Sequence, residues 1–436
     1  MRRACPRVGR GVRSRAARHR GRRRRACRRD AISVVRLPRI AEPLRHRDFR
    51  LLWLGQTVSV FGNFVHGVAL PFQILAIGGG PFEIGLWGAI FSIASIVFLL
   101  LGGAVADRVP RRRLILANDL ACGIAVAAIA ALSATGNLRV EHLYVEAFVF
   151  GATHSFFEPA LNAIIPELVP PEILQTGNAV RGTSRQIALI GGPIVGGLVI
   201  ASAGLPAAFG LDAATFFASF GAVWLARPPR REPAAAVPIL RQVREGLAYT
   251  FSVQWLWVFI FAWAIVVLGL FGPLAVALPI FVRDVLRGDA QMYAAITAAV
   301  GVGDIVAGVV LAQVHIRRLG IAICLFAILG GASVVGMGLV PVVPATVLFA
   351  VGFGVQFVGV GVLWTTAVQK HVPRELLGRV TSIDFFGGSL LLPLAPVIFA
   401  AIVAALGPAQ ALVIGGGMGI VIATGLLFIR SIRDLE

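Results

Sequence analysis

The sequence is short of charge and almost without lysine. Asp, Glu, Lys and Arg make up 14% of its 436 residues, whereas a soluble domain usually has about 25%. Lys370 is the single lysine, so nearly all basic residues are arginine. Hydrophobic residues make up 57% of the chain, and the mean hydropathy is +0.85. This composition excludes an ordinary soluble domain and predicts a membrane protein that crosses the bilayer several times.

Cysteines and enzyme signatures are also scarce. Of the four cysteines, Cys5 and Cys27 lie near the start and Cys122 and Cys324 lie inside apolar segments. No CxxC pair and no His at ligand spacing accompanies them, so we predict no disulfide, metal or other cofactor. The patterns GxxxxGK[ST], GxSxG and HExxH are missing, which argues against an enzyme and against a nucleotide-driven engine in this chain.

The positive charge is concentrated at the start of the chain. Residues 1–50 hold 19 of the 40 basic residues and three of the 21 acids, so the remaining chain is nearly neutral. The first 30 residues have no apolar core of signal-peptide length. We interpret residues 1–43 as a basic disordered tail, with an arm for nucleic acid or anionic lipid as the alternative.

Twelve apolar segments are long enough to cross a bilayer as helices, which takes about 20 residues. Short Gly-, Pro- or Arg-rich breaks separate them. The longest break falls at the midpoint, which predicts an all-α integral membrane fold with six-helix bundles at 44–226 and 251–436, joined by a cytoplasmic central loop at 227–250. The predicted spans are 49–77, 82–105, 112–134, 142–166, 178–201, 204–226, 253–281, 290–313, 319–340, 343–369, 377–405 and 408–430.

Lys and Arg bias predicts the orientation of these spans, because cytoplasmic loops are enriched in both residues. If the basic start is cytoplasmic, three arginines, Arg139, Arg283 and Arg287, fall in outer loops. The cytoplasmic loops receive many more, and the asymmetry survives deletion of the first 43 residues. We therefore expect both termini in the cytoplasm. The cytoplasmic set is Arg108, Arg111, Arg112, Arg113, Arg227, Arg230, Arg231, Arg241, Arg244, Arg317, Arg318, Lys370, Arg374, Arg430 and Arg433.

The two halves share a sequence repeat. ELVPPEILQTGNAVR at 167–181 follows the fourth span, and KHVPRELLGRVTSID at 370–384 follows the tenth. At an offset of 203 residues, Val, Pro, Glu and Leu match in order. The repeat indicates duplication and two pseudo-symmetric bundles, an arrangement with which secondary transporters alternate access around a central site.

These features together resemble the major facilitator superfamily. The turn after the second span, GGAVADRVPRRR, carries its G-x-x-x-D-R-x-x-R-R loop pattern at Gly103, Asp107, Arg108, Arg111 and Arg112, with Pro110 at a usual glycine. GPIVGG in the fifth span matches the core of the antiporter motif at Gly192, Pro193, Gly196 and Gly197. LRHRDFRLLWLGQTVSVFGN, FFEPALNAIIPELVP and GPIVGG…FGLDAATF are similar to the branch that holds the enterobactin exporter and macrolide-efflux-type pumps.

The resemblance implies roles for these motifs. The loop motif would act as a gate in which Asp107 and Arg108 lock the bundles on the cytoplasmic side in one state. The sister turn, GVVLAQVHIRR, has Ala312 and Gln313 in place of that pair. The GPIVGG glycines would provide close helix packing. The resemblance also implies a monomeric protein in the bacterial inner membrane that binds small molecules. No nucleic-acid partner is expected.

Polar residues inside membrane spans are costly and therefore functional candidates. His154, Glu158 and Asn162 lie four residues apart and share one helix face. Matching depths make a Glu158–Arg185 pair feasible. We interpret Asp119 and Asp212 as structural, and Glu146 lies too near the outer end to weigh heavily. The proton-coupling candidates are Glu158, Asp304, Asp384, His66 and His154, and the cavity-lining candidates are Asn63, Asn162, Arg185, Phe157 and Trp364.

Three functions remain open from the sequence. The first is a proton-coupled secondary exporter of a drug-like compound or a siderophore-like metabolite. The second is an importer or lipid flippase on the same scaffold. The third is a membrane scaffold that does not transport and whose basic arm recruits nucleic acid or anionic lipid.

Overall fold

Long apolar runs with little charge fold as helices, because a bilayer leaves every backbone N–H and C=O to be satisfied within the segment. The computed structural model describes residues 41–106, 109–227, 239–314 and 316–436. Residues 1–40 of the tail predicted at 1–43, the loop residues Asp107 and Arg108, and residues 228–238 of the central loop lie outside these ranges. The side chains of 99–106 and 239–243 are also outside the description.

Helices account for nearly all of the described chain. The first part contains α1 (Arg47–Ala76), α2 (Pro81–Ala106), α3 (Arg111–Ala134), α4 (Val140–Leu168) and α5 (Leu174–Leu225). The second part contains α6 (Ile239–Ser252), α7 (Gln254–Asp284), α8 (Ala290–Leu311), α9 (Leu319–Leu339), α10 (Val343–His371), α11 (Leu377–Ser389), α12 (Leu394–Leu406), α13 (Pro408–Leu426) and α14 (Arg430–Arg433). Short 3-10 turns lie at Pro43–Arg45 and Pro171–Ile173.

Helix α5 is a hairpin with its vertex at Gly204. This glycine has a φ of 82° and a ψ of 174°, a conformation that L side chains rarely adopt. Along the first limb, later residues of α5 contact later residues of α1, since Gly177 meets Phe49 and Gly196 meets Val65. Along the second limb, later residues of α5 contact earlier residues of α1. The two limbs (174–203 and 205–225) are therefore antiparallel and sit on either side of α1.

Ten helical segments of the described ranges are long and apolar enough to cross a membrane. Twelve were predicted, and two features account for the difference. The run Pro171–Leu225 is one segment, although it folds back at Gly204. Helix α4 is not among the ten, because its four glutamates, Glu141, Glu146, Glu158 and Glu167, make it polar for its length.

Two other boundaries differ from the prediction. The span predicted at 377–405 is divided into α11 and α12, with Pro393 and Pro396 at the break, since proline removes a backbone donor and disturbs the helix. The loop predicted at 227–250 includes most of α6, which packs against α11 and α7. Arg379 of α11 forms an ion pair with Glu245 of α6.

Packing groups the helices on either side of residues 228–238. In the first part, α1 packs on α5, α2 on α4, and α3 on both α4 and α5. In the second part, α13 packs on α9 and α7, and α10 packs on α8 and α9. We call the side where α1 begins and α13 ends the near face, and the opposite side the far face. The two parts meet where α5 contacts α8 and where α2 contacts α12, toward the far face.

The repeated segments have the same local structure. α4 and α10 end at Leu168 and His371, and the next residues, Val169 and Val372, are extended and buried. After each turn, a new helix starts, at Leu174 and at Leu377.

Candidate functional site

A cavity of about 470 Å³ lies between the two parts of the molecule. Most of its wall comes from α1 to α5, and α7, α8 and α12 contribute one residue each, Ala275, Tyr293 and Pro396. Residues Asn63, His66 and Leu70 are spaced by three and four positions along α1, which places them on one helix face toward this cavity. The wall is mainly apolar and aromatic, with a few polar groups, the usual composition of a small-molecule site.

A smaller cavity of about 90 Å³ adjoins it toward the near face, where α1 and the first limb of α5 begin. Gln56, Val60, Phe157, Glu158 and Arg185 line both cavities. Three of these side chains are polar or charged. The near-face approach to the central cavity therefore has a charged rim.

The polar stripe on α4 divides between the cavity and an ion pair. His154 and Glu158 line the central cavity. Arg181 Nη1 donates to Asn162 Oδ1 at 2.6 Å, and its Nη2 lies 3.4 Å from Glu158 Oε2. The glutamate therefore pairs with Arg181. The matching depths had instead suggested a pair with Arg185, one helical turn later. The count of residues from each helix end does not fix the direction in which a side chain points.

Arg185 has a different environment. Its exposed side chain lines both cavities, and no ion pair of the described residues includes it. Asp304 of α8 faces Arg185 and Gln186 of α5 across the contact between the two parts. Asp304 is 5% exposed, and its Oδ1 has no hydrogen-bond partner among the described residues. Its buried carboxyl group thus has few local partners.

Asp384 and Trp364 contact each other away from the central cavity. Trp364 Nε1 donates to Asp384 Oδ2 at 2.8 Å. The indole of Trp364 is buried and stacks on Phe259 with ring centroids 3.9 Å apart. Trp364 therefore belongs to the packed contact between α7 and α10, and it is not among the residues that line the cavity. Asn63 and Phe157, in contrast, both line it.

A buried charge cluster lies at the wall of the cavity, and sequence reasoning missed two of its members. His66 Nε2 is 3.1 Å from Glu146 Oε1, and His66 Nδ1 is 3.1 Å from Asp212 Oδ2. The three residues come from α1, α4 and the second limb of α5 and are 4%, 1% and 0% exposed, respectively. We call them the His66 cluster.

Aromatic rings and a tryptophan hold the cluster in place. Phe150 stacks on the imidazole of His66 at 5.4 Å, and Phe209 meets it edge-on at 5.2 Å. Trp87 Nε1 donates to Glu146 Oε2 at 2.9 Å. Positions 66, 146 and 212 are far apart in the chain. A signal was nevertheless present, because each is an ionisable residue inside an apolar helix.

Asp119 forms a separate buried network nearby. Its Oδ2 accepts from Ser219 Oγ at 2.7 Å and from Gln56 Nε2 at 3.4 Å, and its Oδ1 accepts from Asn118 Nδ2 at 3.2 Å. These neutral donors join α1, α3 and the second limb of α5. The pattern fits the structural role expected for Asp119.

The motif glycines lie at helix contacts. A Cβ at Gly192 would meet Phe64 of α1, and one at Gly196 would meet Val65. A Cβ at Gly197 would meet Ala294 and Gln291 of α8. GPIVGG, including Pro193, therefore faces α1 on one side and the second part of the molecule on the other.

Two arginines of the loop motif make contacts within the first part. Arg111 pairs with Glu167 and donates to the Ala163 carbonyl oxygen at 2.8 Å. Arg112 donates to the carbonyl oxygens of Val223 and Trp224 at 3.0 and 2.5 Å. Gly103 lies in α2. These contacts fix the start of α3 to the ends of α4 and α5.

The family model described as the Major Facilitator Superfamily matches residues 52–396. The chain is 27% identical over 368 residues to the enterobactin exporter EntS of Salmonella choleraesuis (strain SC-B67), covering 79% of this chain and 85% of the relative. The EntS protein of Escherichia coli O81 (strain ED1a) aligns with the same identity and coverage.

Solved structures show the same fold at low sequence identity. The POT family transporter PepTSo matches with a TM-score of 0.71 and 15% identity, covering 90% of this chain and 99% of that chain. The nucleoside transporter NupG matches with 0.66 and 13%, covering 87% and 98%. The human organic anion transporter MFSD10 (TETRAN) matches with 0.60 and 18%, covering 87% and 99%.

Proposed function

This chain belongs to the Major Facilitator Superfamily, and from that membership we propose that it exports a small organic molecule from the cytoplasm in exchange for protons. Membership makes it a multi-pass membrane transporter and not an enzyme. The observation that carries the proposal is the central cavity of about 470 Å³, which is bounded by both parts of the molecule and contains charged and aromatic side chains. A secondary transporter places its substrate at such a central position.

The relatives suggest the class of substrate. The EntS proteins are named as enterobactin exporters, so a siderophore-like metabolite or a drug-like compound of similar chemistry is the proposed cargo. The cavity supports a partly aromatic molecule, because Phe64, Phe91, Phe157 and Trp87 line it. Arg185 adds a cation without an ion-pair partner among the described residues.

The proposed topology has twelve spans in two pseudo-symmetric six-helix bundles, 44–226 and 251–436. Ten candidate spans become twelve when the two limbs of α5 count separately and α4 is included. In support, α4 is 29 residues long, enough to cross a bilayer despite its polar side chains. The Arg-rich loops place the near face and both termini in the cytoplasm of a bacterial cell, with the protein in the inner membrane.

The packing supports an alternating-access cycle and a state that opens to the near face. Gly85 and Gly88 of α2 approach Pro396 of α12 closely. The ring centroids of Phe72 and Tyr293 lie 5.7 Å apart. Both contacts lie toward the far face. His154, Glu158 and Arg185 line the cavity from the near-face direction. Closure of the near face is assigned to the loop motif, so Asp107→Ala should reduce transport without a change in topology.

The proton-coupling candidates form two groups by position. His66, His154 and Glu158 line the central cavity, whereas Asp304 and Asp384 lie in the second part. Carboxylates and imidazoles in a low-dielectric site can exchange protons as the surroundings change. The monomer holds a complete cavity in one chain, so no second copy is needed.

The test is efflux of enterobactin into everted membrane vesicles with an imposed proton gradient. Vesicles with the protein should accumulate more enterobactin than vesicles without it, and a protonophore should abolish the difference. In the triple variant Glu158→Gln, Asp304→Asn, Asp384→Asn, loss of the dependence on the gradient would assign coupling to these three acids, and retained dependence would direct it to the remaining candidates, His66 and His154. Uptake into whole cells in place of efflux would reverse the proposed direction. A panel of drug-like compounds tested alongside enterobactin separates a wrong substrate from an inactive protein.

A further inference from the structure

We propose that the His66 cluster is a proton-binding site, with Asp212 as the group that gains and loses the exchangeable proton. The inference rests on the proposed function, because it locates the coupling proton of that transport cycle. Glu146 and Asp212 are two of the three acids, with Asp119, to which the sequence gave structural or minor roles. The geometry points to a site in the first part of the molecule alone.

The number of protons at the site follows from the two contacts. Each imidazole nitrogen lies 3.1 Å from a carboxylate oxygen. A nitrogen lone pair facing an ionised carboxylate oxygen at that distance is repulsive, so one proton on each contact makes both attractive. An imidazolium between two carboxylates has a net charge of −1. A third proton brings the buried cluster to neutrality.

Neutrality is favourable at this position. The three side chains are at most 4% exposed and lie on membrane helices, where an uncompensated charge is costly. Apart from His66, no basic side chain of the described residues forms an ion pair with Glu146 or Asp212. The site therefore has a reason to take up a third proton when water in the cavity supplies one, and to lose it when its environment becomes more polar.

The second oxygens of the two acids show where this proton binds. Glu146 Oε2 already accepts from the indole N–H of Trp87 at 2.9 Å, so a fixed donor occupies this oxygen. Asp212 Oδ1 has the Thr215 hydroxyl at 3.4 Å, but that hydroxyl donates to the Asp212 main-chain oxygen at 2.7 Å. Asp212 Oδ1 therefore has a longer and shared donor contact than Glu146 Oε2, and we assign the third proton to Asp212 Oδ1.

Gly62 keeps room beside that oxygen. A Cβ at position 62 would meet Asp212 Oδ1 and Thr215 Oγ1. The glycine allows the carboxyl group to sit against α1 and to carry a proton without a clash. Asn63, the next residue in the chain, lines the cavity.

The cluster has a path to the cavity and a limited set of titratable neighbours. His66 and Trp87 line the central cavity, so protons reach the imidazole from that side. The other titratable or charged groups around it are Asp119 and Cys122 of α3, His154 and Glu158 of α4, Arg185 of α5, and Tyr293 of α8. Ala275 and Pro396, the lining residues from α7 and α12, are uncharged.

Trp87 makes the proposal measurable without a substrate. Its indole N–H is bonded to Glu146, so its fluorescence should respond to the charge of the cluster. We would titrate the full-length protein in lipid nanodiscs against pH and subtract the Trp87→Phe signal to isolate Trp87. A pH-dependent component is expected in the wild type, and it should be lost or displaced along the pH axis in Asp212→Asn and His66→Gln.

Asp119→Asn is the matched control. It also neutralises a buried acid of the first part, but that acid is held by three neutral donors. The Trp87 titration should persist in this variant. An unchanged titration in Asp212→Asn, or the loss of it in Asp119→Asn, would overturn the assignment. Size-exclusion profiles identify variants that fail to fold. If Asp212→Asn fails on its own, infrared spectroscopy decides the question. The band of a protonated carboxyl group seen in the wild type should be absent when Asp212→Asn is introduced into the folded His66→Gln variant.

A transport experiment separates this inference from the proposed function. Asp212→Asn should lose gradient-driven accumulation of enterobactin in everted vesicles but keep its movement down a concentration gradient. If the wild type moves no enterobactin, the proposed substrate fails while the fluorescence titration still decides the proton site. If Asp212→Asn accumulates enterobactin as the wild type does, the coupling role of the cluster is refuted.

Discussion

The two parts of the molecule have the same turn after α4 and after α10 but differ in their buried charge. In the first part, His66, Asp119, Glu146 and Asp212 are buried, and each has side-chain partners from other helices. In the second part, the described buried residues include a single charged one, Asp304. The turns after α4 and α10 have the same local structure, so at these turns the backbone agrees while the buried charge of the two parts differs.

This contrast concerns buried charge alone, because glycines bring helices together in both parts. Close packing in the second part is made by glycines instead of charges. A Cβ at Gly303 would meet the Val351 backbone, and one at Gly354 would meet the Val300 backbone, so α8 and α10 approach through these positions. Gly192 and Gly196 pack on α1 in the same way, so the first part differs by its added network of buried charges.

The strongest test of the contrast removes the central base of the first part. His66→Leu would leave Glu146 and Asp212 facing each other without a cation, and breaking a buried pair costs about 3–5 kcal/mol. We expect a large fall in the thermal unfolding temperature of the detergent-solubilised protein. Asp304→Asn is the counterpart in the second part, where loss of the charge should leave stability unchanged or raise it.

Equal effects of the two substitutions would contradict the contrast. The pair of variants also separates stability from transport. Asp304→Asn is expected to fold normally, so any loss of efflux in it reports on function.

The next test targets packing in the second part. Gly354→Ala forces a Cβ toward the Val300 carbonyl oxygen, and overpacking costs about 1–3 kcal/mol. Gly361→Ala, on an open face of the same helix, should instead stabilise by up to about 1 kcal/mol through helix propensity. Thermal unfolding of the two variants checks the opposite signs, and a tolerated Gly354→Ala would show that α8 and α10 can separate.

The apolar architecture could be predicted from the sequence, because helix length and hydrophobic runs follow directly from the bilayer. Eleven predicted helices start and end within four residues of those observed when the two limbs of α5 are counted separately, and the superfamily was identified from its motifs. The break between α11 and α12 was missed, although Pro393 and Pro396 mark it. The helix α6 was missed because the linker around it is rich in proline and arginine.

The charge partners could not be predicted, since they depend on helix rotation and on long-range packing. Glu158 pairs with Arg181 because that turn of α5 faces α4, and depth along the helix does not determine this. Glu146 lies 80 residues after His66 in the chain, and Asp212 lies farther still. No local sequence pattern connects either acid with His66. The loop motif predicted a gate at Asp107 and Arg108, and this remains a prediction.

A smaller effect is expected at the turns. Arg112 donates to two carbonyl oxygens at the end of α5, and its guanidinium lies 5.7 Å from the Trp224 ring centroid. Arg112→Ala should therefore cost about 1–3 kcal/mol. Arg318→Ala, at the equivalent turn before α9, should change stability by less than about 0.5 kcal/mol. Differential unfolding of the two variants tests whether this turn, like the buried charge, is specialised in the first part.

The smallest effect is expected at the Glu158–Arg181 pair, and it refines the comparison within the first part. Both side chains are partly exposed, at 44% and 31%, and such pairs contribute about 0.2–1 kcal/mol. A double-mutant cycle of Glu158→Gln and Arg181→Gln, followed by thermal unfolding, should give a coupling energy in this range that shrinks at high salt. A coupling energy as large as that of the His66 cluster would mean that burial is not what distinguishes the two sites. A small coupling energy would mean that the strong charge interactions of the first part belong to the three helices that enclose His66. The Glu158–Arg181 pair could then break and form again as the near face of the cavity opens and closes.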